Sequence, residues 1–148
     1  MSLLSVIVRT ATRWLIPFMQ LFGLYVIIHG HASPGGGFQG GVIVATSMIL
    51  YAIVFGLSAA RKRATQRLRL VMESAGPLIY ALIGVLGILV GGVFLEYRII
   101  PLPYEPHITS EIMISIIEIA IGIGVMALCI TMFYALAAEE ALAAEEVK

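Results

Sequence analysis

The chain has 148 residues, of which 60% are hydrophobic and only 12% are charged, and it carries no formal net charge at pH 7. A soluble domain of this size does not need so much apolar surface, so the composition excludes an ordinary soluble protein. We therefore expect an all-α integral membrane protein that crosses the cytoplasmic membrane several times.

Four apolar blocks of roughly 18 to 25 residues match a helix that crosses about 30 Å of hydrocarbon. They predict four transmembrane helices over residues 11–28, 41–60, 77–95 and 112–136, within one membrane domain that covers residues 1–148. The first block is the least certain membrane span by composition, because it contains Arg13 and Pro17. Arg13 can extend to the headgroups beside Trp14. A signal peptide is the alternative, but no small-residue cleavage site follows.

The basic residues predict the orientation of these helices. The stretch ARKRATQRLR, between the second and third blocks, contains Arg61, Lys62, Arg63, Arg67 and Arg69. Short loops rich in lysine and arginine favour the cytoplasmic side, so we expect this loop and both termini to be cytoplasmic. A lipid or nucleic-acid patch is the alternative, but a topology anchor explains the run, and we expect no nucleic-acid partner.

The C-terminal stretch ALAAEEALAAEEVK is a good helix former with its glutamates in pairs. We expect the fourth helix to continue past the membrane surface as a helical acidic tail over residues 137–148. Such a tail is ordinarily solvated, and a docking surface for a basic partner subunit is the alternative.

An unusual segment, IIHGHASPGGGFQGGVI, joins the first two blocks. Its letters GGGFQG satisfy the dinucleotide fingerprint GxGxxG, but that fingerprint works only where a strand turns into a helix. A phosphate loop would need a lysine and a serine or threonine that are absent here. His29 and His31 are two residues apart and would point to different faces of a helix, so we expect no metal site.

The same segment carries no formal charge between residues 30 and 41. Glycine allows close backbone approach or a positive φ, and such backbone at membrane depth must be satisfied by protein or by water in a cavity. Broken helices of this kind line ion or proton paths in transporters, and a tight packed turn is the alternative. The residues expected to form this break and its packing are Pro34, Gly35, Gly36, Gly37, Gly40 and Gly41.

One acidic residue, Glu118, lies inside the fourth block. An ionisable group within a span is costly and usually faces a partner or a water-filled cavity. Glu118 follows Glu111 by seven residues, so the two share a helical face roughly 10 Å apart along the axis. We expect Glu111 at the external interface, and Glu73 and Glu96 at solvated span ends. For Glu118, proton exchange and a merely structural hydrogen bond both stay open.

Small residues recur in the third block, where Gly87 and Gly91 form a small-xxx-small pair. Such pairs let helices approach closely in membranes, so they predict a face that packs against another helix.

The chain has one cysteine, Cys129. A single cysteine excludes an internal disulfide, a CxxC redox pair and a cysteine-ligated iron–sulfur cluster. We expect no cofactor in this chain, and any redox chemistry would belong to other chains.

The stretch GHASPGGGFQGG, residues 30–41, resembles the signature GHxxPGGGFxGG of the MnhB/MrpB subunits of multisubunit sodium/proton antiporters. The resemblance extends along the whole chain and includes an acid early in the last helix. Members of that family usually have aspartate there, in a stretch like IFDLGV, whereas this chain has Glu118 in IIEIAI, which is one methylene longer. The connection between the third and fourth blocks is also shorter here.

The resemblance implies a small subunit of a large complex, with other membrane subunits as partners and Na⁺ and H⁺ as transported ions. Similar subunits occur in stand-alone antiporters and in complexes related to respiratory complex I, such as membrane-bound hydrogenases and sulfur reductases. The chain would not be catalytic alone. Residues proposed for an ion or proton path are Glu118, Glu111, His29 and His31. The alternative is a purely structural subunit.

Overall fold

The computed structural model describes residues 3–30 and 35–146, with side chains for residues 5–30 and 35–139. Over these ranges the chain forms five α-helices and one 3-10 turn, with no β-strand. The helices are α1 (Leu3–Ile28), α2 (Gly37–Phe55), α3 (Leu57–Arg63), α4 (Gln66–Leu89) and α5 (Pro106–Glu146), and the 3-10 turn is Tyr97–Ile99. The predicted all-α fold class is confirmed.

Four of the described helices, α1, α2, α4 and α5, are long and apolar enough to cross a membrane. In the most apolar window of each, only 22% to 33% of the residues are buried inside the chain. Most side chains of these helices therefore face lipid or other proteins, which agrees with a multi-pass membrane protein.

The helices pack in a row, with α2 and α5 in the middle. Within the described residues, α1 packs on α2, α2 on α5 and α5 on α4, whereas α1 and α4 scarcely meet. The largest buried cluster consists of Ala45, Ala52, Ala60, Ala64, Ile130 and Tyr134. Small side chains dominate this cluster, as is usual where membrane helices approach closely.

The second membrane helix differs from its expected bounds of 41–60. α2 begins at Gly37, immediately after Gly36, whose φ of 150° lies outside the helical region. It ends at Phe55, because Gly56 adopts a φ of 94° and turns the chain into α3. Hydropathy alone does not mark these boundaries, since glycine is compatible with both a helix end and a helix interior.

The third membrane helix begins eleven residues before its expected start at residue 77. α4 starts at Gln66 and contains Pro77 in its interior. The proline ring removes the hydrogen bond that residue 77 would donate to the carbonyl of residue 73. Charged residues make the first turns of α4 too polar to be recognised as part of a membrane helix by hydropathy, although these residues are good helix formers.

The end of α4 corrects the role expected for Gly87 and Gly91. The helix stops at Leu89 rather than residue 95, and Gly91 turns the chain with a φ of 102°. The returning chain covers the glycines, because a Cβ added at Gly87 would lie 2.7 Å from the carbonyl oxygen of Val93. Gly87 thus packs against its own chain, and Gly91 forms a turn instead of a helix-packing face.

The last helix, α5, is 41 residues long. At 1.5 Å per residue it measures about 60 Å, twice the hydrocarbon thickness of about 30 Å. It begins at Pro106 rather than residue 112, because proline is well suited to the first helical position. Its apolar part and its acidic part form one continuous helix as far as Glu146.

Several basic side chains are held at one end of the bundle by aromatic rings. The guanidinium groups of Arg9 and Arg13 lie 5.9 and 5.5 Å from the ring centre of Phe55. That of Arg63 lies 4.2 Å from the ring centre of Tyr51. Cation–π contacts therefore fix positive charge at this end, which is the end predicted to be cytoplasmic. The orientation itself stays a prediction.

Close backbone contacts at glycines hold the helices together. A Cβ added at Gly40 would lie 2.6 Å from the carbonyl oxygen of Gly23, where α1 meets α2. A Cβ at Gly41 would lie 2.6 Å from the carbonyl oxygen of Gly122, where α2 meets α5. A Cβ at Gly76 would lie 2.7 Å from that of Ala120, where α4 meets α5. No larger residue fits at these positions without separating the helices.

We expect Gly41→Ala to separate α2 from α5 and to destabilise the protein by about 1–3 kcal/mol. Gly124→Ala is the matched control on α5, because its Cβ would lie 3.5 Å from Gly76 Cα, an ordinary contact. Thermal unfolding of the protein purified from membranes measures both variants. Equal unfolding temperatures for Gly41→Ala and the wild type would contradict the assigned contact.

Candidate functional site

The carboxylate of Glu118 lies against the glycine-rich break between α1 and α2. A Cβ added at Gly30 would lie 2.5 Å from Glu118 Oε2 and 2.6 Å from its Cδ. A Cβ added at Gly36 would lie 3.4 Å from Oε1 of the same side chain. The acid on α5 and the glycines on either side of the break therefore form one site, although more than 80 residues separate them in the sequence.

The main chain of α5 is equally close to the start of α2. A Cβ added at Gly37 would lie 2.8 Å from the backbone carbonyl carbon of Glu118 and 3.0 Å from its Cα. Gly37 is buried, and so are Gly36, Gly40 and Gly41. Glycine at residue 37 is thus required by the close approach of two backbones, and this approach brings the Glu118 side chain to the break.

The carboxylate of Glu118 lies beside the N-terminus of α2. The first turn of α2 contains no acidic residue, and its N-cap, Gly36, supplies no side-chain hydrogen bond. The first backbone N–H groups of a helix have no partner within the helix and carry partial positive charge. Helix N-termini attract anions for this reason, and the Glu118 carboxylate is the acidic group beside this one.

A second polar side chain, Gln39, approaches the same turn. Its Oε1 would lie 3.5 Å from a Cβ added at Gly36, close to the distance found for Glu118 Oε1. Gln39 is exposed on the surface of the chain. An exposed amide group that can donate and accept hydrogen bonds therefore lies at the same turn as the partly buried Glu118.

Of the two predicted histidines, the structure describes His29. Its ring stacks on that of Tyr25 with 4.3 Å between the ring centres, and its Nδ1 lies 3.3 Å from the carbonyl oxygen of Tyr25. His29 directly precedes Gly30 and is exposed. His31 and Pro34 lie outside the described residues, so their contribution to the site stays a prediction.

Glu111 is exposed in the second turn of α5, two turns before Glu118. Its carbonyl oxygen accepts a hydrogen bond of 2.8 Å from Ser115 Oγ. It lies toward the start of α5 and not beside the glycines. Among the described residues, no group of three or more histidine, cysteine, aspartate or glutamate side chains could hold a metal ion.

The turn after α4 contains Glu96 and Tyr97, outside the membrane-spanning helices. Glu96 Oε2 accepts a hydrogen bond of 2.9 Å from the backbone N–H of Val93, so this acid closes a turn in addition to facing solvent. Burial raises the pKa of the Tyr97 phenol above its usual value, and the nearby Tyr80 raises it further. Tyr97 therefore stays protonated at neutral pH.

A second polar cluster, which the sequence patterns did not reveal, lies between α4 and α5. Arg69 Nη1 donates a hydrogen bond of 2.7 Å to Thr131 Oγ1, and Thr131 Oγ1 donates to the carboxylate of Glu73. Glu73 lies two turns inside α4 and not at a solvated span end, because α4 begins at Gln66. A sequence signal for this cluster exists only if α4 is recognised to begin at Gln66, because Arg69 and Glu73 then lie on one membrane helix.

These features define a class of protein: a multi-pass protein of the cell membrane with a carboxylate at a break between two membrane helices. A family model described as "Domain related to MnhB subunit of Na+/H+ antiporter" matches residues 7–143. Because the match covers nearly the whole chain, the chain belongs to the MnhB family of subunits of multisubunit Na⁺/H⁺ antiporters.

Individual relatives agree with the family assignment. A protein of Staphylococcus haemolyticus named "Putative antiporter subunit mnhB2" is 31% identical over 136 residues, which cover 89% of this chain and 94% of the relative. A protein of Staphylococcus aureus with the same name is 28% identical over the same shares. An uncharacterized protein of Methanocaldococcus jannaschii is 35% identical over 84% of this chain, which spans about half (49%) of that relative's length.

We expect Gly30→Ala to push the Glu118 side chain away and to weaken assembly with partner subunits. Glu118→Asp, one methylene shorter, should relieve the collision, so the double variant should be more stable than additivity predicts by about 1 kcal/mol. Thermal unfolding of the purified complex measures this coupling. A cycle with Gly124→Ala in place of Gly30→Ala should be additive, and coupling of the same size there would contradict the contact.

Proposed function

We propose that the subunit supports Na⁺/H⁺ exchange by the complex, and that Glu118 binds and releases a proton at the glycine-rich break. The observation that carries the proposal is the position of the Glu118 carboxylate against Gly30 and Gly36, beside the first turn of α2. A carboxylate that is partly buried in a membrane helix bundle can exchange a proton without a change of fold.

The surroundings of Glu118 support a proton-exchanging role in a second way. The positive end of the α2 dipole favours a carboxylate beside it, whereas burial in the bundle disfavours charge, so the two effects oppose each other at this site. Gln39 and His29 are exposed on the two sides of the break, where both can form hydrogen bonds with water and the imidazole can also take up a proton. The exposed Glu111 supplies negative charge two turns away on the same helix and so attracts cations.

A structural role is the second candidate, and the glycine contacts favour it. Gly37 and Gly41 hold α2 against α5 through backbone contacts that need no ionisable group. In this function the subunit would fill the space between ion-carrying chains and seal it from lipid. Gly36→Leu would then disrupt assembly, because Gly36 has a φ of 150°, whereas Glu118→Gln would be silent.

The host complex is either a stand-alone antiporter or a redox-driven complex such as a membrane-bound hydrogenase. Cys129 is the one free cysteine in the described part of the chain, so this subunit would supply no cysteine-ligated iron–sulfur cluster in either host. Its contribution to ion movement would be the same in both. Genes for a nickel–iron or iron–sulfur subunit beside this one would identify a redox-driven host.

We expect Glu118→Gln to lower Na⁺/H⁺ exchange at least about tenfold, because the amide cannot carry the proton. Exchange is measured in vesicles that contain the whole complex, with subunit content checked on the same vesicles. Glu118→Asp should keep a large part of the activity. Glu111→Gln is the matched control on the same helical face and should reduce exchange only slightly. Normal assembly with unchanged exchange in Glu118→Gln would refute the proton role and leave the structural one.

A further inference from the structure

We infer that a cleft between the α3–α4 connection and α5 binds the phosphate of an anionic membrane lipid. The cleft has a volume of about 350 Å³ and is lined by Arg61, Gln66 and Arg69 on one side and by Thr131 and Tyr134 on the other. It lies far from Glu118 along α5, and the inference does not depend on the proposed proton exchange.

The two guanidinium groups of the cleft are held by neutral acceptors. Arg61 Nη2 donates to the carbonyl oxygen of Tyr134 at 3.4 Å, and Arg69 donates from Nε to the carbonyl oxygen of Ala64 at 3.3 Å and from Nη1 to Thr131. Among the described residues, neither guanidinium lies within 4.0 Å of a carboxylate oxygen. Each guanidinium has five N–H donors, so both keep donors for a ligand.

Tyr134 fixes the geometry of this pair. The Arg69 guanidinium lies 4.8 Å from the centre of its ring, while Arg61 bonds to its carbonyl oxygen. Both arginines are therefore oriented before a ligand binds. Preorganised guanidinium forks match the oxygens of a phosphate, which they can bind in pairs of hydrogen bonds.

The charged side chains that line the cleft are both positive. Glu73 reaches Arg69 only through a shared hydroxyl group, so the two arginines outnumber the one carboxylate. The first turn of α4 contains no acidic residue, and its N-cap, Thr65, makes no side-chain hydrogen bond. The positive end of the α4 dipole therefore adds to the attraction for an anion.

The position of the cleft along the membrane normal indicates that the phosphate belongs to a lipid. From Glu111 to Tyr134, α5 rises about 35 Å, slightly more than the hydrocarbon thickness of about 30 Å. With Glu111 at one interface, Tyr134 lies at headgroup level on the other, the side of the basic connection. Basic pockets between membrane helices at this level bind anionic headgroups.

The test uses the whole complex in phosphatidylcholine vesicles that contain traces of a photoactivatable phosphatidylglycerol, with labelled peptides mapped by mass spectrometry. We expect labelling around the cleft, and a decrease of about fivefold in Arg61→Gln. Labelling of Arg61→Lys, which keeps the charge, should lie between that of the wild type and that of Arg61→Gln. Arg67→Gln is the matched control, because Arg67 is exposed on α4 and does not line the cleft. It should label as the wild type does.

Four results would overturn the inference. A phosphatidylcholine probe that labels the cleft equally would mean that the headgroup charge is not recognised. An equal loss in Arg67→Gln would mean that the whole basic surface attracts lipid without a site. Displacement of the probe by millimolar inorganic phosphate would identify a free anion as the ligand. An absence of labelling in the assembled complex would mean that another subunit covers the cleft.

Discussion

The close backbone contact between α2 and α5 is the constraint on which the rest of the structure depends. Without side chains at Gly37 and Gly41, the start of α2 lies directly against the main chain of α5. In a membrane, apolar side chains gain little by leaving lipid for one another, so close packing has to supply the stability. The same contact places the Glu118 side chain at the start of α2. The position of this acid therefore depends on how closely the two helices pack.

The sequence was sufficient for the fold class and for the family. Long apolar blocks predict membrane helices because the bilayer allows few other structures, and a dozen uncommon residues in GHASPGGGFQGG specify the family. Glu118 and the glycine break were also singled out by the sequence, and the structure brings them into contact. Their role in ion movement stays a prediction.

Other features needed the three-dimensional structure. The hydrogen bonds that join Arg69, Thr131 and Glu73 connect residues about 60 positions apart, so they exist only because α4 packs on α5. The fold-back over Gly87 depends on the φ of Gly91, which no periodicity reports. Hydropathy measures the preference of a residue for lipid and not for helical geometry, and for this reason it missed the polar first turns of α4.

The length of α5 has a consequence for the depth of every group attached to it. Glu111 at one end and Glu139 near the other are both exposed acids, and neither can enter hydrocarbon without a large cost in free energy. Because an unbroken helix cannot shorten, these two acids limit how far α5 can move along the membrane normal. The bilayer thickness and the tilt of α5 together therefore limit the range of depths that Glu118 can occupy within the membrane.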